Sequence, residues 1–132
     1  MLTEQEIAMS TVAMRERDIR LDGSLESLGV LDEMLKGFRQ ALQGSDEHEA
    51  FLMLTALAGS YFGEVLRQGI GGKWQFSAEG WMPALACPGC QVSPFGRVRK
   101  FLEEGPENSL YDLAIVLDLL SQVAQELEVD CA

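Results

Sequence analysis

The longest apolar stretch of the chain lies near its middle and limits the folds that the remaining segments can form. Between residues 50 and 66 the only charged side chain is that of Glu64. A helix that is apolar on all sides is normally buried on all sides, so this stretch predicts a core helix surrounded by other elements. Its uncharged run ends at Gly63 and is about 14 residues long, whereas a membrane span needs about 20, so no membrane segment is expected.

Glycines mark two features of this predicted helix. Gly59 and Gly63 lie four residues apart on one face, which predicts a tight helix crossing where another backbone approaches closely. Gly69, Gly71 and Gly72 follow, and glycine is the usual residue where a helix ends with positive φ. The helix is therefore expected to end in this glycine-rich segment.

Two more helices are predicted before the central one. Thr3 and Glu6 form a capping-box pattern, which starts a helix that runs to about Arg20. Ser24 is a typical N-cap for a second helix. Its apolar residues recur at spacings of three and four: Leu28, Leu31, Leu35, Phe38 and Leu42. Because the connections are short, the three helices are expected to form an antiparallel array.

The pattern changes after Gly72 to short alternating segments. Residues 73–77, 81–87 and 91–93 predict three short strands of a small antiparallel meander. Pro94 suits the first turn of a following helix. A long last helix begins after a cap at Asn108 or Ser109, and we expect it to be largely buried because apolar residues cover more than one face. These are Leu110, Leu113, Ile115, Val116, Leu117, Leu119, Leu120, Val123, Ala124 and Leu127.

Length and charge limit the classes of function. The 132 residues are expected to form one domain, residues 1–132. With 21 acidic and 10 basic residues the net charge is −11, so nucleic acid and anionic membranes would be repelled, whereas a basic protein is a suitable partner. The N-terminus has no secretory signal pattern, and an odd count of three cysteines does not fit a secreted disulfide framework. A cytoplasmic location is therefore expected.

The sharpest chemical motif is the CPGC segment that begins at Cys87 and ends at Cys90. Proline followed by glycine is typical of a type II turn, which holds the end Cα atoms within about 7 Å. The two thiols could form a disulfide or supply half of a tetrahedral zinc site, with Cys131 and His48 as the remaining candidate ligands. Because no second closely spaced ligand pair exists, reduced cysteines in a hairpin turn are the main expectation.

One possible pocket follows from the central helix and the aromatic residues near it. Glu64 is either a buried general base with a raised pKa or a helix-edge glutamate paired with Arg67 or with Lys73 beyond it. Tyr61, Trp74 and Trp81 could line a pocket with it or anchor a partner, although core filling is the default for aromatic residues. The sequence offers no set of side chains typical of nucleophilic catalysis, so enzymatic activity stays uncertain.

Several short motifs occur in a fixed order: LESL at residues 25–28 with Leu31-Asp32, YFGE at 61–64, GGKW at 71–74, and Pro94-Phe95 with Val98 and Lys100. This order resembles a group of uncharacterised bacterial proteins, domains of unknown function that share a "GE" helix followed by a "GGxW" strand. The similarity covers about residues 21–105. It implies an α+β domain and a bacterial cytoplasmic origin, but no activity, cofactor or catalytic residue, and the CPGC turn is not part of the pattern.

The sequence therefore predicts an α+β fold of about five helices, with an N-terminal three-helix array, a small antiparallel meander and a long C-terminal helix. The expected function is that of a non-enzymatic protein-binding or regulatory module, for example an immunity-type protein, acting as a monomer or homodimer. The alternative is a small enzyme or ligand-binding domain that uses a pocket around Glu64 and Trp74, or a zinc or redox site at Cys87 and Cys90.

Overall fold

Five α-helices and one three-stranded sheet form the described part of the protein. The structure is a computed structural model that describes residues 2–43, 48–76, 82–87 and 90–131, with side chains to residue 126. In chain order the elements are α1 (Glu4–Arg17), α2 (Ser27–Leu42), α3 (His48–Ile70), β1 (Lys73–Gln75), β2 (Ala84–Cys87), β3 (Cys90–Val92), α4 (Pro94–Glu104), a 3-10 turn (Pro106–Asn108) and α5 (Leu110–Cys131). This is the predicted α+β architecture with a long C-terminal helix.

The first helix begins where it is predicted to begin, and it ends earlier than predicted. The Thr3 hydroxyl accepts a hydrogen bond from the Glu6 backbone N–H at 3.1 Å, and the Thr3 N–H donates to the Glu6 carboxylate at 3.3 Å. The capping box is thus confirmed. The helix ends at Arg17 instead of near Arg20, because Asp18 takes an extended conformation and its carboxylate accepts bonds from the N–H and guanidinium of Arg20.

Serine residues lie at the start of both α2 and α4, with different roles. Ser24 does not cap α2, which begins at Ser27; instead its hydroxyl accepts from the Ser27 N–H at 3.2 Å and closes a turn before the helix. Ser93 is the N-cap of α4, since its hydroxyl accepts from the Gly96 N–H at 3.2 Å. Pro94 occupies the first turn of α4, as predicted.

The three strands form the predicted antiparallel meander in the order β1, β2, β3. Trp74 lies opposite Leu85 in the register of β1 and β2, and Cys87 lies opposite Cys90 in that of β2 and β3. The first two strands are shorter than predicted, and the third has the predicted length but begins and ends one residue earlier. The second begins only after Pro83, which lacks the N–H that a strand interior needs.

The central helix α3 is the common neighbour of the other helices. It packs most extensively on α1 and α4 and also contacts α2, α5 and β2, whereas α2 packs on α5 and α4 as well. Residues 58–63 of α3 are all buried, but Leu52 and Met53 near its start and Gln68 and Gly69 near its end are exposed, so the prediction of burial on all sides holds only for the middle of the helix. Among the described helices α3 alone is long and apolar enough to cross a membrane. Half of its most apolar 18-residue stretch is buried inside the protein, which is typical of a core helix.

Gly59 and Gly63 in the middle of α3 each lie against an aromatic ring. A Cβ at Gly59 would lie 2.3 Å from Cδ1 of Phe95 in α4, and a Cβ at Gly63 would lie 2.1 Å from Cη2 of Trp74 in β1. The two rings lie next to each other, with centroids 5.8 Å apart. The predicted close approach is therefore present, but side-chain rings occupy it where a backbone was expected.

Candidate functional site

One cleft of about 490 Å³ lies where the end of α3, the start of α1 and β1 meet. The chain turns sharply there, with φ of +94° at Gly71 and +149° at Gly72, so that β1 returns beside α3. The lining residues are Glu4, Ile7, Ala8, Glu64, Arg67, Gly72, Lys73 and Trp74. Two of the four predicted pocket residues, Glu64 and Trp74, are thus brought together in one cleft.

The Glu64 carboxylate in this cleft is held by an arginine one helical turn further on. The Nε atom of Arg67 donates to Oε2 of Glu64 at 2.5 Å, and the Glu64 side chain is only 16 % exposed. The bond to this carboxylate raises the pKa of the Arg67 guanidinium. This is the ion pair that the sequence offers as the alternative to a general base. With Glu4 and Lys73 nearby, the cleft contains two acids and two bases.

Of the other two predicted pocket residues, the structure describes only Tyr61, which does not line this cleft. Tyr61 is fully buried, and its hydroxyl lies 2.6 Å from Oγ of Ser27 and accepts a bond from the Gly23 N–H at 3.0 Å. Tyr61 therefore ties the loop before α2 to the middle of α3. Trp81 lies outside the described residues. The Trp74 indole N–H is buried, and no described residue accepts a hydrogen bond from it.

The cysteines of the CPGC motif face each other across the β2–β3 hairpin. Cys87 and Cys90 are register partners, both are partly buried, and both are free thiols. Burial raises the pKa of the Cys87 thiol to about 11, and the neighbouring Cys90 adds to the shift. A thiol with such a pKa is protonated at neutral pH, so it is a poor nucleophile and a poor metal ligand in this state.

The predicted zinc ligands are only partly brought together. Among the residues that the structure describes, no group of three or more His, Cys, Asp or Glu side chains is placed to hold a metal ion. His48 is exposed at the first turn of α3, and the Cys131 side chain lies outside the described part. Cys87 and Cys90 thus form a pair of thiols without a third described ligand.

The last helix exposes an apolar stripe that the sequence does not predict. Leu110, Ala114, Leu117 and Ser121 of α5 are buried, but Val116, Leu119, Leu120 and Val123 are between 49 and 57 % exposed. These four residues, which we call the α5 stripe, recur at spacings of three, one and three and therefore share one face. The expectation that α5 is largely buried is wrong for this face. The sequence feature that could have indicated this exposure is the number of apolar residues in α5, which is larger than one buried helix face needs.

Acidic residues lie at both ends of the α5 stripe. Asp112 precedes Val116 by four residues, Glu126 follows Val123 by three, and both acids are exposed on or beside the same face. From residue 103 to the end, the sequence has eight acids and no Lys, Arg or His. The stripe is therefore an apolar surface with negative charge at each end.

Comparisons of the chain with protein-family models, with curated proteins and with solved structures found no match.

Proposed function

We propose that this protein is a non-enzymatic binding module of the bacterial cytoplasm whose α5 stripe docks a basic protein segment. A regulator or an immunity-type inhibitor of a basic protein is the form of activity that this implies. The proposal rests on one observation, namely that four apolar side chains on one face of α5 are about half exposed between two acids.

The spacing of the stripe suits a helical partner. An amphipathic helix that lays its apolar face against another surface contacts it through residues at i, i+3, i+4 and i+7. Val116, Leu119, Leu120 and Val123 have this spacing. Contiguous exposed apolar surface on a soluble protein is typical of an interaction site, whereas single exposed apolar residues such as Ile19 need no explanation.

The charge around the stripe favours a basic partner over a second copy of this chain. Two copies that paired through their stripes in an antiparallel dimer would bring Asp112 of one copy near Glu126 of the other, and like charges at a rim oppose association. A partner with Lys or Arg at both ends of its apolar face would meet an acid at each end. Nucleic acid and anionic membranes would be repelled by the net charge of −11.

A synthetic amphipathic helix tests this proposal. The probe is a fluorescently labelled leucine–lysine peptide with lysines at both ends of its apolar face, and its anisotropy is measured against the protein at low and high salt. The double variant Leu119→Gln with Leu120→Gln keeps helix propensity but removes about 1 kcal/mol of apolar burial per residue. Binding is expected to weaken about 30-fold. High salt should weaken it as well.

Matched controls make the test specific to the stripe. Met53→Gln removes an exposed apolar side chain on α3, and it should leave the affinity unchanged. A leucine–glutamate peptide of the same length should not bind. Equal losses for Met53→Gln and for the double variant would contradict the proposal. A concentration-dependent dimer in sedimentation that the double variant disrupts would assign the stripe to a second copy instead.

A second candidate function is binding of a small ligand in the cleft at Glu64 and Trp74. The observation that favours it is that the cleft places two acids, two bases and an indole wall around one space. Such a site suits a zwitterion with an apolar side chain, such as a free amino acid. Saturation-transfer NMR with a mixture of amino acids tests it, and Lys73→Ala should abolish a signal that Lys36→Ala, outside the cleft lining, preserves.

A further inference from the structure

We propose that Cys87 and Cys90 form a reversible intramolecular disulfide that closes the β2–β3 hairpin, because they are register partners on one face of the sheet. This inference does not depend on the docking function of α5. It assigns the CPGC motif to thiol–disulfide exchange within one chain, with a low-molecular-weight disulfide such as oxidised glutathione as the oxidant.

The backbone already holds the two residues in a geometry that a disulfide can accept. Side chains directly opposite each other in an antiparallel pair lie on the same face, with Cβ atoms about 5 Å apart. A disulfide needs Cα atoms about 4.4–6.8 Å apart and Cβ atoms about 4 Å apart, so a small approach is sufficient. The register places Cys87 directly opposite Cys90, so the two thiols are neighbours.

The position of the pair on the sheet favours a bond within the chain over an external ligand. Cys87 lies two residues after Leu85, and Cys90 lies two residues before Val92, so all four share one face. Leu85 and Val92 are buried in the core. The thiols therefore point toward the core side of the hairpin. Each thiol can reach the other there, whereas a metal ion shared between two copies of the chain could not reach them.

The exchange balances without further reactants. One cysteine loses its proton, and its thiolate attacks a sulfur of oxidised glutathione, which forms a mixed disulfide and expels one glutathione thiolate. The second cysteine then loses its proton and attacks the protein sulfur of the mixed disulfide, which expels the second glutathione thiolate. The two protons convert both leaving groups to thiols. The cysteines are oxidised to one disulfide, and one oxidised glutathione is reduced to two molecules of glutathione.

The test uses the full chain with Cys131→Ala, which leaves only the two hairpin thiols. The folded protein is incubated with oxidised glutathione at mildly alkaline pH, then blocked with a maleimide and weighed by mass spectrometry. We expect the main product to lose two hydrogens and take up no maleimide, and dithiothreitol should restore two reactive thiols. The matched variants Cys87→Ser and Cys90→Ser, each made in this background, should instead gain one glutathionyl group.

Three outcomes would overturn the proposal. The first is a folded protein that gains glutathionyl groups without the cyclised product. The second is a folded protein that stays reduced while the same chain cyclises in denaturant, which would mean that the fold keeps the sulfurs apart. The third is a zinc ion that copurifies with the hairpin and protects both thiols from maleimide. Because the first two readouts use intact hairpin cysteines, they do not depend on the folding of the serine variants.

Discussion

Replacing Gly63 by alanine would place a methyl group against the indole ring of Trp74. The new Cβ would lie 2.1 Å from Cη2 and 2.5 Å from Cζ2 of that ring, and 3.2 Å from Cγ of Pro94. Contacts below 3.0 Å do not persist, so the ring has to move. Trp74 also lies beside Phe95, whose ring is fully buried, so the indole can move only away from Phe95, toward the cleft that it lines, and would lose part of that contact.

Two opposing effects decide the size of the change. Alanine is better than glycine in a helix interior by about 1 kcal/mol. Forcing an extra carbon into a packed site costs about 1–3 kcal/mol, and an overlap with a rigid ring lies at the upper end of that range. We expect Gly63→Ala to lower the free energy of unfolding by about 1–2 kcal/mol, which corresponds to a fall in Tm of about 5 °C.

Gly37→Ala is the matched control, because Gly37 also lies inside a helix but has nothing within 4 Å of the added Cβ. It should raise the free energy of unfolding by up to about 1 kcal/mol. Urea unfolding followed by circular dichroism measures both variants. Adding Trp74→Phe to Gly63→Ala should recover part of the loss, since a smaller ring leaves room for the methyl group. If Gly63→Ala stabilised the protein as much as Gly37→Ala does, the inferred ring contact would be refuted.

Three further predictions follow from single interactions. Asp32→Ala should lower the free energy of unfolding by about 1–2 kcal/mol because its carboxylate accepts from the N–H groups of Leu110 and Tyr111 at the start of α5, whereas Glu33→Ala should have little effect in the same urea titration. Tyr61→Phe should lower the free energy of unfolding by about 1 kcal/mol, since it leaves the partly buried Gly23 N–H without its acceptor, and thermal unfolding would detect the loss. With a pKa of about 11, Cys87 should react with iodoacetamide at pH 8 at least about tenfold more slowly than a free cysteine, and its rate should rise toward pH 11. Peptide mapping measures the rate, and a rate equal to that of a free cysteine would contradict the burial of the thiol.

Features that depend on residues close in sequence are predictable for this chain. The capping box of Thr3 and Glu6 needs only two side chains one turn apart, and it forms as the pattern indicates. The same holds for Pro94 in the first turn of α4 and for the meander of short strands. Even the cleft is partly predictable, because Gly71 and Gly72 reverse the chain and thereby bring Trp74 back beside Glu64.

Features that depend on distant residues left no local pattern to read. Asp32 accepts bonds at the N-terminus of α5 from residues 78 and 79 positions away, and no periodicity in α2 marks it. The spacing of Gly59 and Gly63 indicates a close approach, but it cannot say whether a backbone or a ring approaches. The sequence around Tyr61 does not distinguish a tyrosine that lines a pocket from one in the core. In the structure its hydroxyl is hydrogen-bonded to Ser27 inside the core.

The exposed stripe of α5 shows what limits a prediction of burial from periodicity. Apolar spacing identifies which faces of a helix can be buried, but the arrangement of the neighbouring helices decides which faces are covered. Leu117 and Ser121 of α5 are buried, whereas Val116 and Leu120 at the same height along the helix are about half exposed. The helices α2 and α3 that pack on α5 therefore cover one of its faces and leave the other open. A binding partner would be expected to bury the apolar residues of α5 that these helices leave exposed. The α5 stripe, more than the ion-paired cleft, is therefore the surface to test first.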